Sequence, residues 1–181
     1  MSDLSPRRPK PLDHEALFNY AVRVLAGRAH STGELREKLA RRAASPEDID
    51  QVLAKLKEIG YLDDRRFAES FASARLANDR FGRSRVTRDL RQRRVAPALA
   101  ERSVSKVYQE VDEGALIEEW IRRKYRTAPR EGLFQDEKDL ASAYRRLVRA
   151  GFRTGEIVRA LKQFAKNPEL LDNFEPPPDD E

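Results

Sequence analysis

The chain has 181 residues, with 36 Lys and Arg against 31 Asp and Glu, a formal net charge of +5 and no cysteine. This length predicts one domain or a few small modules. The missing cysteines exclude disulfides, thiolate metal sites and cysteine nucleophiles. No segment approaches the roughly 18 apolar residues of a membrane span, and the basic residues near the N-terminus precede no apolar run of a signal peptide. We therefore expect a soluble, basic, cytoplasmic protein.

After an N-terminal arm expected to be disordered over residues 1–12, the chain has the pattern of three short helices. Ser31 and Glu34 form a capping box at the start of the second helix, because each side chain can accept a hydrogen bond from the other's backbone N–H. Ser45 and Pro46 begin the third helix, and Gly60 ends it. Apolar residues recur at helical spacing between these signals. No sustained alternation or hairpin turn indicates a sheet.

The three-helix pattern repeats along the chain. Four apolar positions return after 51 residues and again after a further 54: Leu35, Leu39, Leu53 and Leu56 match Val86, Leu90, Val104 and Val107, and then Leu140, Tyr144, Val158 and Leu161. The sequence therefore predicts an all-α protein, an elongated and curved array of three tandem three-helix repeats. The predicted repeats are 13–62, 63–112 and 113–167, with a longer loop over 128–135 in the third.

The C-terminal segment differs in charge from the body. Residues 168–181 contain six acidic residues, no Lys or Arg, and three consecutive prolines. Three prolines cannot continue a helix, so we expect a disordered acidic tail. Two roles stay open for it: a solubility tail, or a competitor that shields the basic body from weak partners.

Arginine is concentrated in the second repeat. Residues 75–94 contain eight arginines against two aspartates, and this excess of one sign favours contact with phosphates or carboxylates over a solvated helix face. On a helical wheel the middle helix of each repeat presents arginine away from its apolar side, and repeats stacked in register would join these residues into one stripe. The predicted residues for binding a protein partner or nucleic acid are Arg41, Arg42, Arg85, Arg88, Arg91, Arg145, Arg146 and Arg149.

No pattern predicts catalysis, a metal or a cofactor. His14 and His30 lack partners at ligand spacing and are interpreted as surface or capping residues. The glycines form no phosphate-binding fingerprint, and Asp63 and Asp64 are interpreted as a helix N-cap. Only Phe81 interrupts the basic block, which argues against base stacking on aromatic side chains. We expect a non-enzymatic protein without a cofactor.

The segment from Leu25 to Leu39, LAGRAHSTGELREKL, is followed by IGYLDD over 59–64 and by Phe67-Ala68. These motifs closely resemble the opening repeat of RecX regulatory proteins. The resemblance covers about residues 16–167 and implies a fold of three tandem three-helix repeats. By this resemblance the motif positions are core residues at Leu35, Leu39, Tyr61 and Leu62, and helix caps at Glu34 and Asp64.

The resemblance also implies a partner. RecX-like proteins bind the RecA recombinase, lie in the groove of its filament on DNA, and restrain filament growth, strand exchange, ATP hydrolysis and co-protease function. A basic helical array suits such a groove, because protein acids and DNA phosphates line it. The expected partners are therefore the RecA filament and, more weakly or indirectly, single- or double-stranded DNA. A monomer with no membrane partner is expected.

Two other functions stay open. The same basic face could bind nucleic acid generally, or the repeats could be a scaffold for another acidic protein. Phosphate neutralisation predicts a steep fall of binding with salt, roughly 0.9 log units per contact for each decade of salt. A protein-directed regulator should instead bind filaments much better than bare DNA at moderate salt.

Overall fold

A computed structural model describes residues 10–126 and 132–171, except for the side chain of residue 170. Within these ranges the chain forms nine α-helices and one 3₁₀ helix, with isolated bridges as its only extended pairing. The helices are α1 (His14–Gly27), α2 (Thr32–Ala40), α3 (Pro46–Glu58), α4 (Asp64–Asp79), α5 (Arg83–Gln92), α6 (Pro97–Val107), α7 (Glu113–Lys124), α8 (Glu137–Arg149), α9 (Thr154–Phe164) and the 3₁₀ helix Pro168–Leu171. The predicted all-α class is confirmed.

The helices begin and end where the sequence signals stand. The Ser31 hydroxyl accepts from the Glu34 N–H at 3.0 Å, and the Glu34 carboxylate accepts from the Ser31 N–H at 3.2 Å. Ser45 is the N-cap of α3 with Pro46 as its first residue. Gly60, whose φ of 75° lies in the left-handed region that glycine tolerates best, follows the end of α3. The capping box and both ends of α3 are therefore confirmed.

The helices pack in threes around two apolar cores. α1, α2 and α3 pack on one another, as do α4, α5 and α6, and α9 packs on both α7 and α8. One core belongs to the first three helices and includes Leu17, Leu35 and Leu56. The other core runs without a break from Ala68 in α4 to Leu171. The first three helices thus enclose a core of their own, whereas the remaining six share one.

The predicted spacing of 54 between the second and third copies holds at the start of the middle helices, at Arg83 and Glu137, but not further along the repeat. The third helices begin at Pro46, Pro97 and Thr154, so their spacing is 51 and then 57. With a spacing of 57, Val86, Leu90, Val104 and Val107 correspond to Ala143, Leu147, Leu161 and Phe164, which are all buried. Three residues make almost one helical turn, so apolar periodicity alone cannot distinguish 54 from 57.

Both predicted disordered ends need correction where they meet the body. The Leu12 N–H donates to the Arg42 carbonyl at 2.7 Å, and the Leu12 carbonyl accepts from the Ala44 N–H at 2.9 Å, so the expected arm is ordered at its last residue. Pro168–Leu171 form the 3₁₀ helix, which packs on α9 with Leu171 buried. An apolar side chain in this core orders the start of the expected tail. Residues 1–9 and 172–181 lie outside the described residues.

The predicted loop of the third repeat includes a core residue. Residues 127–131 lie outside the description, but Phe134 is buried, and its backbone forms an isolated bridge with Ala165, the residue after α9. Its ring meets the Tyr125 ring edge-on, with centroids 5.5 Å apart. This part of the loop therefore packs against the third repeat.

Candidate functional site

The middle helices of the first two repeats meet end to end. The Ser31 hydroxyl, at the N-cap of α2, donates to the carbonyl of Arg93 at the C-cap of α5. The Arg93 guanidinium pairs with Glu34 at 3.2 Å, and that of Arg94 pairs with Glu37 at 2.9 Å. Hydrogen bonds from the Arg94 and Arg41 side chains hold the pKa of Glu37 below its ordinary value. Residues about sixty positions later in the chain thus form hydrogen bonds and ion pairs with α2 and its N-cap.

A second joint connects the middle helices of the second and third repeats. The Gly82 N–H donates to the Ala150 carbonyl at 2.8 Å, and the Ser84 N–H donates to the Gly151 carbonyl at 3.2 Å. Ala150 is the C-cap of α8, and Gly151 has a φ of 91° that glycine adopts readily. Free N–H groups at the start of α5 therefore find the free carbonyls at the end of α8, with their dipoles aligned.

The two joints place α8, α5 and α2 one after another. These helices have thirteen, ten and nine residues, so at 1.5 Å per residue their lengths add up to about 48 Å. All eight arginines predicted as binding residues lie on these helices or in the turn after α2. The structure thus brings the predicted set onto one line of helices.

Two of the predicted arginines have no partner in the described part of the chain. Arg88 is exposed and Arg145 is half-buried, and neither makes a side-chain hydrogen bond or ion pair with another described residue. They stand 57 residues apart, as do the last residues of α5 and α8, Gln92 and Arg149. Counted from the C-terminal ends of these helices, they are therefore equivalent positions.

Three further predicted arginines are exposed but paired. Arg41 pairs with Glu37 at 2.9 Å, Arg91 pairs with Glu101, and Arg146 donates to the Tyr125 hydroxyl at 3.3 Å. Exposed pairs of this kind contribute only about 0–1 kcal/mol to stability. Their guanidinium groups can therefore exchange these partners for a binding partner at small cost.

Arg85 differs from the predicted outward orientation, whereas Arg42 lies beside apolar residues, as its place near the apolar edge of the helical wheel indicates. The Arg42 guanidinium lies 5.2 Å from the centre of the Tyr20 ring, and its Nε is buried without a partner among the described residues. Arg85 lies 4.5 Å from the centre of the Phe81 ring and donates to the carbonyl of Arg149 at 3.1 Å. Both are half-buried, whereas Arg149 itself is exposed.

Several other arginines of the basic block hold the fold together. Arg80 pairs with Glu119 of the third repeat at 2.9 Å, and Arg83 donates to the Tyr108 carbonyl. Arg93 and Arg94 contact the first repeat as described above. Pairs four residues apart do not account for this block, as its excess of one sign indicates, because most of its partners come from distant segments. A comparison of residues three or four positions apart on one helix cannot reveal these partners.

Three motif residues occupy places that the sequence did not indicate. Tyr61, expected in the core, is 58% exposed. His30, interpreted as a surface or capping residue, is only 5% exposed, and burial is the largest of the effects that lower its pKa. Asp63 is the N-cap of α4, as predicted, whereas the neighbouring Asp64 accepts from the Thr32 N–H at 2.6 Å and so supports the start of α2.

Metal sites and membrane-spanning helices are both absent from the described residues. Residues 10–126 and 132–171 bring together no group of three or more His, Asp or Glu side chains that could hold a metal ion. In the same ranges, every helix is too short or too polar to cross a membrane.

The fold and this surface define a protein of tandem three-helix repeats whose middle helices join end to end and carry several exposed arginines. Family models agree with that class: residues 18–56 match the first three-helix domain of RecX, and residues 63–103 match the second. The chain is 34% identical to the regulatory protein RecX of Deinococcus radiodurans, covering 89% of this chain and 75% of the relative. It is 36% identical to RecX of Halorhodospira halophila, covering 81% and 86%. The chain belongs to the RecX family of regulatory proteins.

Solved structures support the fold. The crystal structure of RecX from Lactobacillus salivarius superposes with a TM-score of 0.66 at 17% identity, covering 83% of this chain and 96% of that one. A second RecX crystal structure gives a TM-score of 0.64 at 16% identity, covering 82% and 71%. At this level of identity the similarity establishes the shared helical-repeat architecture.

Proposed function

We propose that this protein is a non-enzymatic regulator that binds the RecA recombinase filament on DNA and inhibits its recombinase, ATPase and co-protease activities. Membership of the RecX family supports this proposal, because its relatives are regulatory proteins by name. The expected cellular setting is cytoplasmic DNA repair and recombination.

The observation that carries the proposal is the line of middle helices. A filament presents the same subunit again and again, so a ligand that binds it well should repeat its own contacts. Arg88 and Arg145 recur at one structural spacing on two joined helices, and both leave their guanidinium groups unpaired within the described chain. Each guanidinium can grip a carboxylate or a phosphate with two parallel hydrogen bonds. Contacts that are weak singly add up when several form at once.

The test is DNA-stimulated ATP hydrolysis by RecA, measured while this protein is added well below the concentration of RecA. Inhibition is expected at a low ratio, because one regulator on a filament affects many subunits. The double variant R88A/R145A should need about tenfold more protein for half-inhibition, since each exposed charge contact contributes up to about 1 kcal/mol.

A matched control removes two exposed arginines from other helices. Arg23 lies on α1 and Arg102 on α6, and R23A/R102A changes the net charge by the same amount. This control should inhibit like the unmodified protein. Equal losses in the two double variants would show that net charge alone sets the effect and would refute the role of the middle helices.

A general nucleic-acid-binding function is the alternative, since the same arginines can neutralise phosphates. It predicts equal affinity for bare DNA and for RecA filaments at physiological salt, together with a steep salt dependence. The proposed function predicts a clear preference for filaments under those conditions.

A further inference from the structure

A polar cleft of about 460 Å³ lies where the first two repeats meet, beside the joint between α2 and α5. Four guanidinium groups and two carboxylates line it, so its charged lining carries an excess of two positive charges. The charged lining residues are Arg28, Arg75, Arg85, Arg93, Glu34 and Asp89. Three of these arginines are absent from the predicted binding set, since the repeats bring them together from α4, α5 and the turn before α2.

Aromatic rings hold three of the guanidinium groups in place. Arg75 lies 5.0 Å from the centre of the Phe71 ring and 5.7 Å from that of Phe81. Arg93 lies 4.9 Å from the centre of the Phe71 ring, and Arg85 lies 4.5 Å from that of Phe81. A guanidinium over a ring face is restricted in orientation, while the N–H groups in its plane stay able to bind an anion. The cleft is therefore preorganised.

The carboxylates satisfy only part of these donors, including the one from Asp79 outside the lining, to which Arg75 donates at 2.9 Å. Asp89 approaches Arg75 and Arg85 only to 3.7 Å, which is beyond hydrogen-bond distance. The Nε of Arg75 is buried without a hydrogen-bond partner among the described residues. Glu34 accepts from Arg28 and Arg93, each at 3.2 Å. Burial by itself would raise the pKa of Glu34, but the hydrogen bonds and charges of these partners lower it, so Glu34 is ionised at neutral pH.

We propose that this cleft binds a phosphate group, presented either by a nucleic-acid strand or by a free nucleotide. A phosphate offers several acceptor oxygens in a tetrahedral arrangement, which suits arginine forks approaching from different sides. A single carboxylate offers two oxygens and would leave part of this donor set unused. The inference does not rest on the proposed partner, because the protein alone forms the cleft.

Binding of pyrophosphate to the full chain, measured by isothermal titration calorimetry in a low-salt buffer, tests the proposal. One saturable site per chain is expected. R28Q should weaken it at least about tenfold, because a charge-assisted hydrogen bond is worth roughly 1.5–3 kcal/mol. R85K keeps the charge but loses the planar fork, and it should also weaken binding severalfold.

The matched control is R23Q, which removes the same charge from an exposed position on α1 outside the cleft. It should change pyrophosphate affinity less than about twofold, and thermal melting should show that all variants remain folded. Equal weakening by R28Q and R23Q, or no saturable site, would overturn the proposal. Because RecA is absent from this experiment, its failure would leave the proposed regulatory function standing.

Competition then identifies the source of the phosphate. Displacement of pyrophosphate by a single-stranded oligonucleotide, lost in R28Q, assigns the cleft to a nucleic-acid strand. Displacement by a nucleoside triphosphate alone assigns it to a free nucleotide, and either result upholds the proposal. Displacement by a glutamate-rich peptide at lower concentration than by any phosphate compound would assign the cleft to an acidic protein and overturn it.

Discussion

Arg88 and Arg93 stand five residues apart in the same basic block, yet their surroundings give them different roles. Arg93 pairs with Glu34 of the first repeat and lies over the Phe71 ring. Arg88 is exposed and has no partner within the described residues. The first therefore contributes to the joint between repeats, whereas the second is available to a binding partner.

Alanine substitution should separate these two roles. R93A removes an ion pair between two repeats and a cation–π contact within the second repeat, so the free energy of unfolding should fall by about 1–2 kcal/mol. R88A should change it by less than about 0.5 kcal/mol, as expected for a surface site. Urea unfolding followed by circular dichroism measures both values. A larger loss in R88A than in R93A would contradict these assignments.

His30 is a buried titratable group at the same joint. Its Nδ1 lies 2.9 Å from the Arg28 carbonyl, which can only accept, so Nδ1 carries the proton. Its Nε2 is buried without a partner among the described residues. Burial lowers the pKa of His30, and the nearby charges of Arg28 and Lys38 act in the same direction. The folded protein therefore favours the neutral imidazole of His30 over the charged form.

Stability should consequently fall on mild acidification. The unfolded chain takes up a proton near pH 6.5, while folded His30 takes it up only at lower pH, so the unfolded state gains protons first. The loss of unfolding free energy between pH 7.5 and pH 5.5 should be larger for the unmodified protein than for H30N. Asparagine can still donate to the Arg28 carbonyl but does not titrate. Parallel pH profiles for both proteins would refute this role of His30.

At the scale of the helices, the joint between α5 and α8 depends on close backbone approach. A Cβ atom added at Gly82 would lie 2.2 Å from the Gly151 carbonyl oxygen, and one at Gly151 would lie 2.3 Å from the Arg85 nitrogen. No real Cβ contact is that short, and backbone atoms cannot give way easily. Glycine at these two positions is what lets the helix ends meet.

Replacing Gly82 by alanine should therefore separate the helix ends. G82A is expected to lower the free energy of unfolding by about 1–3 kcal/mol, the usual range for an overpacked contact. Gly155 provides the control, because a Cβ there meets nothing within 4 Å. G155A should be neutral or stabilise by up to about 1 kcal/mol through reduced freedom of the unfolded chain. If thermal or urea unfolding showed G82A to be as stable as G155A, the close backbone contact at Gly82 would not be needed for stability, and this account of the joint would be wrong.

Local signals predicted the helices and their caps, because a capping box or a proline at a helix start acts within a few residues. Ser31, Ser45 and Asp63 all cap as expected. The joints were missed, because Ser31 finds its second partner 62 residues away. Helical wheels gave correct exposure for Arg88 but not for Arg85, since a wheel contains no neighbouring aromatic ring such as that of Phe81. The cleft between repeats has no local signal at all.

At the scale of the whole molecule, the boundary between the ordered body and the acidic segment matters for charge. Leu171 is buried in the core that the second and third repeats share. Residues 172–181 contain five acidic residues and no Lys or Arg, so removing them raises the net charge from +5 to +10. Truncation after Leu171 thus changes the charge while keeping every core residue of the described ranges.

The truncated protein should bind bare DNA more tightly, because five negative charges no longer oppose its attraction to phosphates. A gel-shift titration at low and moderate salt measures the effect, and the gain should shrink as salt screens the charges. A full-length variant with the same five acids changed to Asn and Gln controls for length and should behave alike. Unchanged or weaker binding in both proteins would refute shielding by this segment.

Both joints connect a middle helix to residues that are synthesised later. The start of α2 contacts Arg93 and Arg94. The N–H groups at the start of α5 donate to the carbonyls of Ala150 and Gly151. A nascent chain interrupted after the second repeat would leave the first N–H groups of α5 without those carbonyls. The line of three helices therefore needs all three repeats, and a chain that ends after the second repeat cannot form the joint between α5 and α8.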